Sequence, residues 1–386
     1  MALGSQRHLF DIPDDVAYLN TAYQGPLPRA SVMQGQEALA RKGTPWLITP
    51  EDFFAPVEEY RQLVARLLGA DVDGVAVTPS ISYGLAVAAA NLPFAAGQQI
   101  VVLAGEFPSN VYGWRALAER TDGHVHTVDR PPDGDWTTAV LDHLERNGDE
   151  VAIAAVPACH WTDGAPVDVV PIGARCRELG TALVVDGAQS LGAVPFPFEQ
   201  VQPAFIAGAT YKWLLGPYSL GFVWVAPAWR SGAPIEHNWI TRAGSDRFSS
   251  LVDYVDEFQP GARRYDMGEV SNFGLIPVAS ESLRTLLRWD GAEVAAHARR
   301  LTDRIADGAR DLGFEVAPAT ARSDHLIGLR RPGLDTEGLA GVLAGDRVHV
   351  SVRGDSVRVS AHVFNTDDDA DRLVAALATV AARTTS

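Results

Sequence analysis

One lysine stands out in this sequence because lysine is otherwise almost absent. The chain has 386 residues and 32 basic residues, of which only Lys42 and Lys212 are lysines. Lys212 lies in the apolar, glycine-rich stretch 208–217. A buried ammonium can lose its proton and become a nucleophile, which a guanidinium cannot do. We therefore predict a chemical role for Lys212, with a solvated loop charge as the alternative.

A carboxylate precedes this lysine in the sequence. Asp186 ends the apolar run 182–186 and is followed by a turn of small residues. Such a run predicts a buried parallel strand that delivers the acid to the carboxyl edge of a sheet, where ligands of open α/β folds bind. The runs 204–209 and 221–225 predict two further strands that flank Lys212. A lysine for a Schiff base and an acid that keeps a pyridine nitrogen protonated are what pyridoxal phosphate (PLP) requires.

The Asp-x-x-Gln spacing followed by the lysine resembles the class V aminotransferase family of fold-type I PLP enzymes. This family includes cysteine desulfurases, kynureninases and isopenicillin N epimerase-like proteins. The resemblance implies that Asp186 pairs with the ring nitrogen of the cofactor, Gln189 with its ring hydroxyl, and that Lys212 forms the Schiff base. It also implies the α/β fold-type I transferase fold, with a mostly parallel sheet in a large domain and a smaller α+β C-terminal domain. A homodimer is part of the same expectation.

Hydroxyl groups after an early strand predict the site of the cofactor's phosphate. The run 75–77 predicts a strand that leads through a loop into a helix at 85–92. Free backbone N–H groups at a helix N-terminus bind anions without needing a lysine. We assign Ser80, Ile81 and Ser82 to the phosphate, in the position of the family's phosphate loop. A helix cap without any ligand would give the same serine pattern.

Two aromatic side chains complete the predicted cofactor site. Phe107 opens the stretch Phe-Pro-Ser-Asn-x-Tyr, where desulfurases have a stacking histidine and kynureninases a phenylalanine. The resemblance implies that Phe107 stacks on the ring but cannot move protons, and a core aromatic is the alternative. Tyr211 stands where relatives contribute a phosphate contact, and a phenol can donate that hydrogen bond.

Three segments are predicted to contact an amino acid substrate. One is a turn-rich stretch near the N-terminus, one follows the predicted strand 151–157, and one lies near the C-terminus. The arginine of the last segment matches the family's ligand for the substrate α-carboxylate, which a planar guanidinium binds bidentately. For the other two segments, a structural loop is the alternative. The predicted substrate residues are Asn20, Tyr23, His160, Trp161 and Arg358.

Composition excludes several classes of protein. The formal net charge of −16 argues against nucleic acid or an anionic membrane as a partner. No apolar run reaches the roughly 18 residues of a membrane span, and the N-terminus lacks a signal-peptide core, so cytoplasm is the expected location. Cys159 and Cys176 predict neither a disulfide framework nor a metal site. The sequence also lacks a dinucleotide fingerprint, a Walker A loop, a His-Glu-x-x-His motif and a nucleophile elbow.

The predicted reaction depends on what the C-terminal part lacks. Desulfurases and selenocysteine lyases that resemble this chain carry a reactive cysteine on a loop of the C-terminal domain, and this sequence has no cysteine after Cys176. With Phe107 in place of the histidine, Lys212 is the obvious general base at the substrate Cα. We favour a C–S lyase that cleaves a cysteine conjugate by β-elimination. Aromatic side chains could line a pocket for its S-substituent, with core positions as the alternative: Tyr23, Tyr112, Trp161 and Trp239.

Several other reactions start from the same bound amino acid. Class V aminotransferase activity is the first alternative. Epimerisation, kynureninase-like hydrolysis and decarboxylation-linked oxidative deamination are further ones. The non-enzymatic alternative is a PLP-binding regulator, and we expect neither terminus to offer room for its output segment.

Elements outside the site predict two domains. Residues 20–262 form the predicted large PLP-binding domain, and 263–386 together with 1–19 form the predicted small one. A strong helical pattern at 276–312, broken at 290–291, connects them. The remaining C-terminal elements are predicted as strands at 314–317, 325–329, 348–352 and 356–360 and a helix at 367–382.

Overall fold

The computed structural model describes residues 3–383 except 335 and 337. The described chain is an α/β protein in which the large sheet has seven strands, accompanied by a three-stranded antiparallel sheet and a pair of short parallel strands. The strands are β1 (Ala17–Tyr18), β2 (Val75–Thr78), β3 (Gln99–Leu103), β4 (His124–Val128), β5 (Val151–Pro157), β6 (Ala182–Asp186), β7 (Phe205–Ala209), β8 (Gly221–Val225), β9 (Leu326–Leu329), β10 (Val348–His349), β11 (Ser351–Arg353) and β12 (Ser356–Ser360).

Helices connect most of these strands. None of the described helices combines the length and the apolar character needed to cross a membrane. The helices are α1 (Arg29–Arg41), α2 (Ala55–Leu68), α3 (Ile81–Asn91), α4 (Tyr112–Thr121), α5 (Trp136–Asn147), α6 (Val169–Leu179), α7 (Phe198–Val201), α8 (Leu275–Leu286), α9 (Gly291–Asp311), α10 (Leu339–Gly345) and α11 (Asp367–Arg383).

The large sheet brings the carboxyl ends of six strands to one edge, and those of β2, β3, β5, β6 and β7 lead into the loops considered below. Its order is β2-β8-β7-β6-β5-β3-β4, and only β8 runs antiparallel to its two neighbours. Since β8 is antiparallel to both β2 and β7, these two strands point the same way. The loops after β2, β3, β5, β6 and β7 therefore meet at the edge where ligands of open α/β sheets bind.

Both faces of this sheet are covered by helices. One face packs against α2, α5, α6 and α8, with Tyr60 and Trp136 fully buried there. The other face packs against α3 and α4, where Leu85 and Trp114 are buried. Each large apolar side chain that is removed from water contributes about 1.5–3 kcal/mol to the free energy of folding, so packing on both faces stabilises the sheet. Coverage on both faces explains their nearly continuous apolar sequences.

The C-terminal part has a second apolar core. The sheet β11-β12-β9 packs with α9 and α11, and residues of β1 join the same core. In contrast, side chains from Met267 to Leu286 pack into the core of the large sheet. The predicted domain boundary at 262–263 stays a prediction, and this packing places α8 with the large sheet.

Three predicted elements differ from the structure. Helix α3 begins four residues before the predicted start at 85, because Ser80 caps it by accepting a hydrogen bond from the backbone N–H of Tyr83. In the described chain, the predicted strand 314–317 has only one isolated bridge, between Glu315 and Arg330. The predicted strand 348–352 is divided between two sheets.

Candidate active site

A cavity of about 300 Å³ opens at the carboxyl edge of the large sheet. Its walls come from the loops after β2, β3, β5, β6 and β7, which the strand order brings together. A cavity of this size, with a few polar groups among apolar ones, is typical of a small-molecule site. The predicted residues that line it are Ser80, Ile81, Ser82, Phe107, Trp161, Asp186, Gln189, Tyr211 and Lys212.

Lys212 places a buried amine in this cavity. Its side chain is 8% exposed, and Nζ lies 5.6 Å from the ring centroid of Phe107. Among the described residues, Nζ has no hydrogen-bond or ion-pair partner. Burial lowers the pKa of the amine to about 8, Asp186 opposes this shift, and the charges of Arg358 and Arg353 add to it. The amine is therefore available in its neutral, nucleophilic form near physiological pH.

The turn that carries Lys212 is fixed by backbone contacts. The hydroxyl of Thr210 donates to the carbonyl of Pro217 at 2.6 Å, which closes the turn. The N–H of Gly25 donates to the carbonyl of Tyr211 at 2.8 Å. A Cβ at Gly25 would lie only 2.1 Å from the Lys212 carbonyl oxygen, so only glycine permits this approach. The N-terminal segment therefore clamps the backbone beside the amine.

Asp186 is a buried carboxylate without a cation partner. Its Oδ1 accepts a hydrogen bond from the backbone N–H of Ala188 at 2.9 Å. Within the described chain, no arginine, lysine or histidine nitrogen lies within the 4.0 Å of an ion pair. Burial raises the pKa of this carboxyl group, and the Ala188 N–H and the Lys212 charge oppose the shift. A buried acid at the floor of the cavity fits the protonated ring nitrogen of PLP.

Gln189 is held between two parts of the chain. Its Oε1 accepts a hydrogen bond from Trp213 Nε1 at 2.8 Å, and its Nε2 donates to the Ala22 carbonyl at 3.2 Å. An amide nitrogen has two hydrogens, so one remains for a ligand in the cavity. His325 holds the backbone carbonyl of Gln189 at 2.6 Å. Sequence reasoning found Gln189 but missed Trp213 and His325, which position it.

The loop after β2 gives the cavity the features of an anion site. The Oγ atoms of Ser80 and Ser82 lie 2.8 Å apart, and Ser80 caps helix α3. Because Ile81 and Ser82 form the first turn of this helix, their backbone N–H groups have no partner within the helix. Hydroxyl groups together with these N–H groups fit the phosphate of PLP. Tyr211 lines the same cavity, and burial raises its pKa to about 12, so its hydroxyl stays protonated.

Phe107 and Trp161 form an aromatic wall. Their rings meet edge to face with centroids 5.3 Å apart. The indole Nε1 of Trp161 donates to the carbonyl of Gly105 at 2.8 Å, which fixes the ring. Phe107 is partly exposed towards the cavity, unlike a core aromatic.

Arg358 is buried behind this wall. The side chain is 1% exposed, and Nη1 donates to the Trp161 carbonyl at 2.9 Å. Its Nε has no hydrogen-bond partner, and no described carboxylate lies within ion-pair distance. Burial, together with the nearby charge of Arg353, lowers the pKa of Arg358 to about 9. An unpaired buried guanidinium is unfavourable unless an anion binds to it.

His160 lies outside the cavity lining, in contrast to its predicted substrate contact. Its ring stacks on Trp136 at a centroid distance of 5.2 Å. Both ring nitrogens are occupied, Nε2 by the Ala104 carbonyl at 3.1 Å and Nδ1 by the Thr162 hydroxyl at 2.8 Å. Burial lowers the pKa of this histidine, so a neutral, structural ring fits the geometry best.

The predicted residues of the N-terminal segment also lie away from the cavity lining. The side-chain oxygen of Asn20 accepts a hydrogen bond from the Ser351 hydroxyl at 2.7 Å, which ties the segment to β11. Tyr23 is 55% exposed on the surface. Of the four aromatic residues considered for a bulky S-substituent, Trp161 alone lines the cavity, and Tyr112 and Trp239 are exposed like Tyr23.

Glu106 and Cys159 are among the cavity residues to which the sequence analysis gave no role. The Oε1 of Glu106 accepts the Phe107 N–H at 2.6 Å, whereas Oε2 is buried without a hydrogen-bond partner. Burial and the neighbouring Asp186 raise the pKa of Glu106 to about 8. The thiol of Cys159 lies 3.2 Å from the Ser323 hydroxyl, and burial raises its pKa to about 12. Glu106 follows β3 and Cys159 follows β5, and a position after a strand was the available signal.

The fold and the cavity define a PLP-dependent enzyme of fold type I. Residues 49–373 match the family model described as aminotransferase class-V, and the chain belongs to the class V aminotransferase family. The predictions of this family, of the fold-type I architecture and of PLP as the cofactor are confirmed. When bound, PLP would be held by Lys212, Asp186 and the N-terminal turn of α3.

Relatives and solved structures cover nearly the whole chain. The uncharacterized aminotransferase YcbU of Bacillus subtilis (strain 168) is 25% identical over 90% of this chain and 89% of its own length. The cysteine desulfurase of Thermococcus onnurineus NA1 has a TM-score of 0.86 at 18% identity, covering 98% of this chain and 97% of that chain. The cystine C–S lyase C-DES, in complex with cysteine persulfide, has a TM-score of 0.83 at 17% identity, covering 95% and 98% of the two chains.

Proposed function

We propose that this protein is a C–S lyase that releases a thiol from a cysteine conjugate by β-elimination, after which one water molecule hydrolyses the remaining three-carbon fragment to pyruvate and ammonia. The observation that carries the proposal is the buried, unpaired amine of Lys212 in a cavity without a reactive thiol. β-Elimination needs a base at the substrate Cα and a route for the departing thiol, but no enzyme cysteine.

Lys212 is the proposed base. Its neutral Nζ takes the proton from the substrate Cα, and the resulting ammonium can protonate the leaving sulfur. Bound PLP supplies the electron sink that makes this proton removable. Asp186 keeps a positive charge on the cofactor ring, and Phe107 supports the ring face. These roles fit the positions of the three side chains around the cavity.

Arg358 is the proposed ligand of the substrate α-carboxylate. Its unpaired guanidinium lies behind Trp161, and its charge acts on Lys212. A carboxylate bound there would neutralise the buried charge by a bidentate, charge-assisted pair. The substrate Cα would then lie between Arg358 and the amine of Lys212.

The C-terminal part argues against persulfide transfer. Strands β11 and β12 are joined directly by the turn Gly354-Asp355, because Arg353 pairs with Ser356. This short turn carries no cysteine. The thiol of Cys159 lines the cavity, but its pKa of about 12 keeps it protonated, and a protonated thiol is a poor nucleophile.

Class V aminotransferase activity is the second candidate, supported by the likeness to YcbU. Both reactions use Lys212 as the base at Cα. The test is incubation with several S-substituted cysteines, with and without a keto acid. Equal amounts of thiol and pyruvate without added keto acid support the lyase, whereas turnover only with a keto acid identifies an aminotransferase.

We further propose that the protein is a homodimer. Large apolar side chains are exposed on and after α1, including Leu39, Trp46 and Leu47, and patches of this kind mark interaction sites. A second such segment contains Val252 and Tyr254. Light scattering during gel filtration should give twice the chain mass, and Trp46→Glu should weaken the assembly. A monomeric wild-type protein would contradict the proposal.

A further inference from the structure

Two guanidinium groups approach the same indole ring. The Cζ atoms of Arg353 and Arg358 lie 5.8 Å and 6.0 Å from the ring centroid of Trp161, which lines the cavity. Arg353 ends strand β11, and its Nη1 donates only to the carbonyl of the adjacent Val352 at 2.7 Å. Each guanidinium has five N–H donors, and within the described chain each donates one hydrogen bond, to the carbonyl of Val352 or of Trp161.

Neither guanidinium is neutralised by a carboxylate of the described chain. Two acids of this region pair with other arginines: Asp163 pairs with Arg130 and Arg330, and Asp355 pairs with Arg330 at 3.0 Å. The two like charges lie against one ring and repel one another: burial lowers the pKa of Arg358, and the charge of Arg353 lowers it further. One carboxylate would neutralise only one of them.

The two arginines lie at different depths. Arg358 is fully buried, whereas Arg353 is partly exposed. A substrate held by its α-carboxylate at Arg358 would extend past Trp161 towards solvent. Its far end would then meet the second guanidinium, which has no carboxylate partner among the described residues.

We propose that Arg353 selects substrates with a second acidic group at the end of the side chain. The substrate class, which rests on the proposed lyase function, is a cysteine conjugate whose S-substituent ends in a carboxylate or a similar anion. Trp161 lies against both guanidinium groups and gives the substituent an apolar surface between the two charged ends.

The test uses a matched pair of ligands that differ only in charge. These are the S-carboxymethyl and S-carbamoylmethyl derivatives of 2-methylcysteine, which lack the Cα hydrogen and cannot be turned over. Calorimetry on the PLP-loaded enzyme measures the binding of each. We expect the wild type to prefer the carboxymethyl ligand about tenfold or more, because hydrogen bonds to charged groups contribute about 1.5–3 kcal/mol.

Three variants locate the preference. Arg353→Gln should abolish the preference for the carboxymethyl ligand, whereas Arg358→Gln should weaken the binding of both ligands by similar factors. Arg304→Gln removes an exposed arginine that pairs with Asp371, and it should change neither affinity. Equal wild-type affinities, or a preference that survives Arg353→Gln, would overturn the inference. Because binding is measured without turnover, a failure of the lyase reaction itself would show only in the separate thiol and pyruvate assay.

Discussion

Two buried arginines of this protein have opposite surroundings. Arg61 is 2% exposed and pairs with Asp266 through both Nη atoms, at 3.0 Å and 2.8 Å. Its remaining donors reach Glu58 and the Val75 carbonyl. Arg358 is equally buried but lacks a carboxylate partner in the described chain and leaves Nε unpaired. The first arginine is satisfied within the fold, whereas the second is the one that we propose binds the substrate α-carboxylate.

The same contrast separates two buried aspartates. Burial raises the pKa of both Asp266 and Asp186. At Asp266, the charge and the hydrogen bonds of Arg61 oppose this shift directly. Asp186 has only the N–H of Ala188 and the more distant charge of Lys212. Buried charge without an internal partner costs stability, so its presence at one sheet edge indicates where bound charges belong.

The largest expected effect is at Lys212. Lys212→Ala should lower β-elimination by on the order of 10³-fold or more, since it removes the base at Cα. Borohydride reduction should attach the cofactor covalently to Lys212 in the wild type, and peptide mass spectrometry should locate it there. Covalent attachment through Lys42 in the variant, with activity retained, would contradict the assignment. Lys42→Ala is the matched control and should behave like the wild type.

The next largest effect is a difference in stability between variants of Arg61 and of Arg358. Arg61→Met leaves Asp266 buried without a partner and should cost about 3–5 kcal/mol of unfolding free energy. Arg358→Met removes an unpaired charge and should cost less than about 1 kcal/mol. Urea denaturation of both cofactor-free variants measures this difference. Equal destabilisation would show that Arg358 has a structural role and that the contrast is wrong.

A smaller effect is expected at Asp186. Asp186→Asn keeps the shape of the side chain but exchanges a charge-assisted hydrogen bond to the ring nitrogen for a neutral contact. The rate at Cα should fall by about ten- to hundredfold, which corresponds to the 1.5–3 kcal/mol of such a bond. Cofactor absorbance at saturating PLP shows whether binding survives. An unchanged rate would exclude the proposed role of Asp186.

Much of the cofactor half of the site could be predicted from sequence because it is built on strand ends. Asp186 ends β6, and Lys212 follows β7, so the apolar runs alone place both residues at one sheet edge. Ser80 was found for the same reason, although its helix starts earlier than predicted.

The substrate half was harder to predict because its residues lie on loops and in the C-terminal part. His160 was expected to touch substrate, but the sequence does not show that Trp136 and two hydrogen bonds occupy its ring. Among the described residues, Arg358 and Arg353 have no carboxylate partner because Arg330 pairs with Asp163 and Asp355, and such pairing is a tertiary property.

The smallest effect concerns Glu106, whose carboxyl group lies beside Asp186 in the cavity. Its pKa is about 8 in the folded protein, against an ordinary value of 4.5. The folded state therefore holds a proton between these values that the unfolded state has lost. By linkage, the stability contribution of this group is present in full below pH 4.5 and falls as the pH rises towards 8.

Glu106→Gln should remove this loss of stability, because an amide does not ionise. As the pH is raised from weakly acidic to weakly basic, the cofactor-free variant should become more stable than the wild type by about 1–2 kcal/mol. One proton can change the free energy of unfolding by at most about 1.36 kcal/mol per pH unit, and the expected gain lies within this limit. The pKa of Asp186 is raised as well, and removing the neighbouring charge of Glu106 should also favour the ionised form of Asp186. Urea denaturation across this pH range measures the difference, with the exposed Glu119→Gln as the control. A constant difference between variant and wild type would show that Glu106 does not change its protonation over this pH range, which would contradict the prediction.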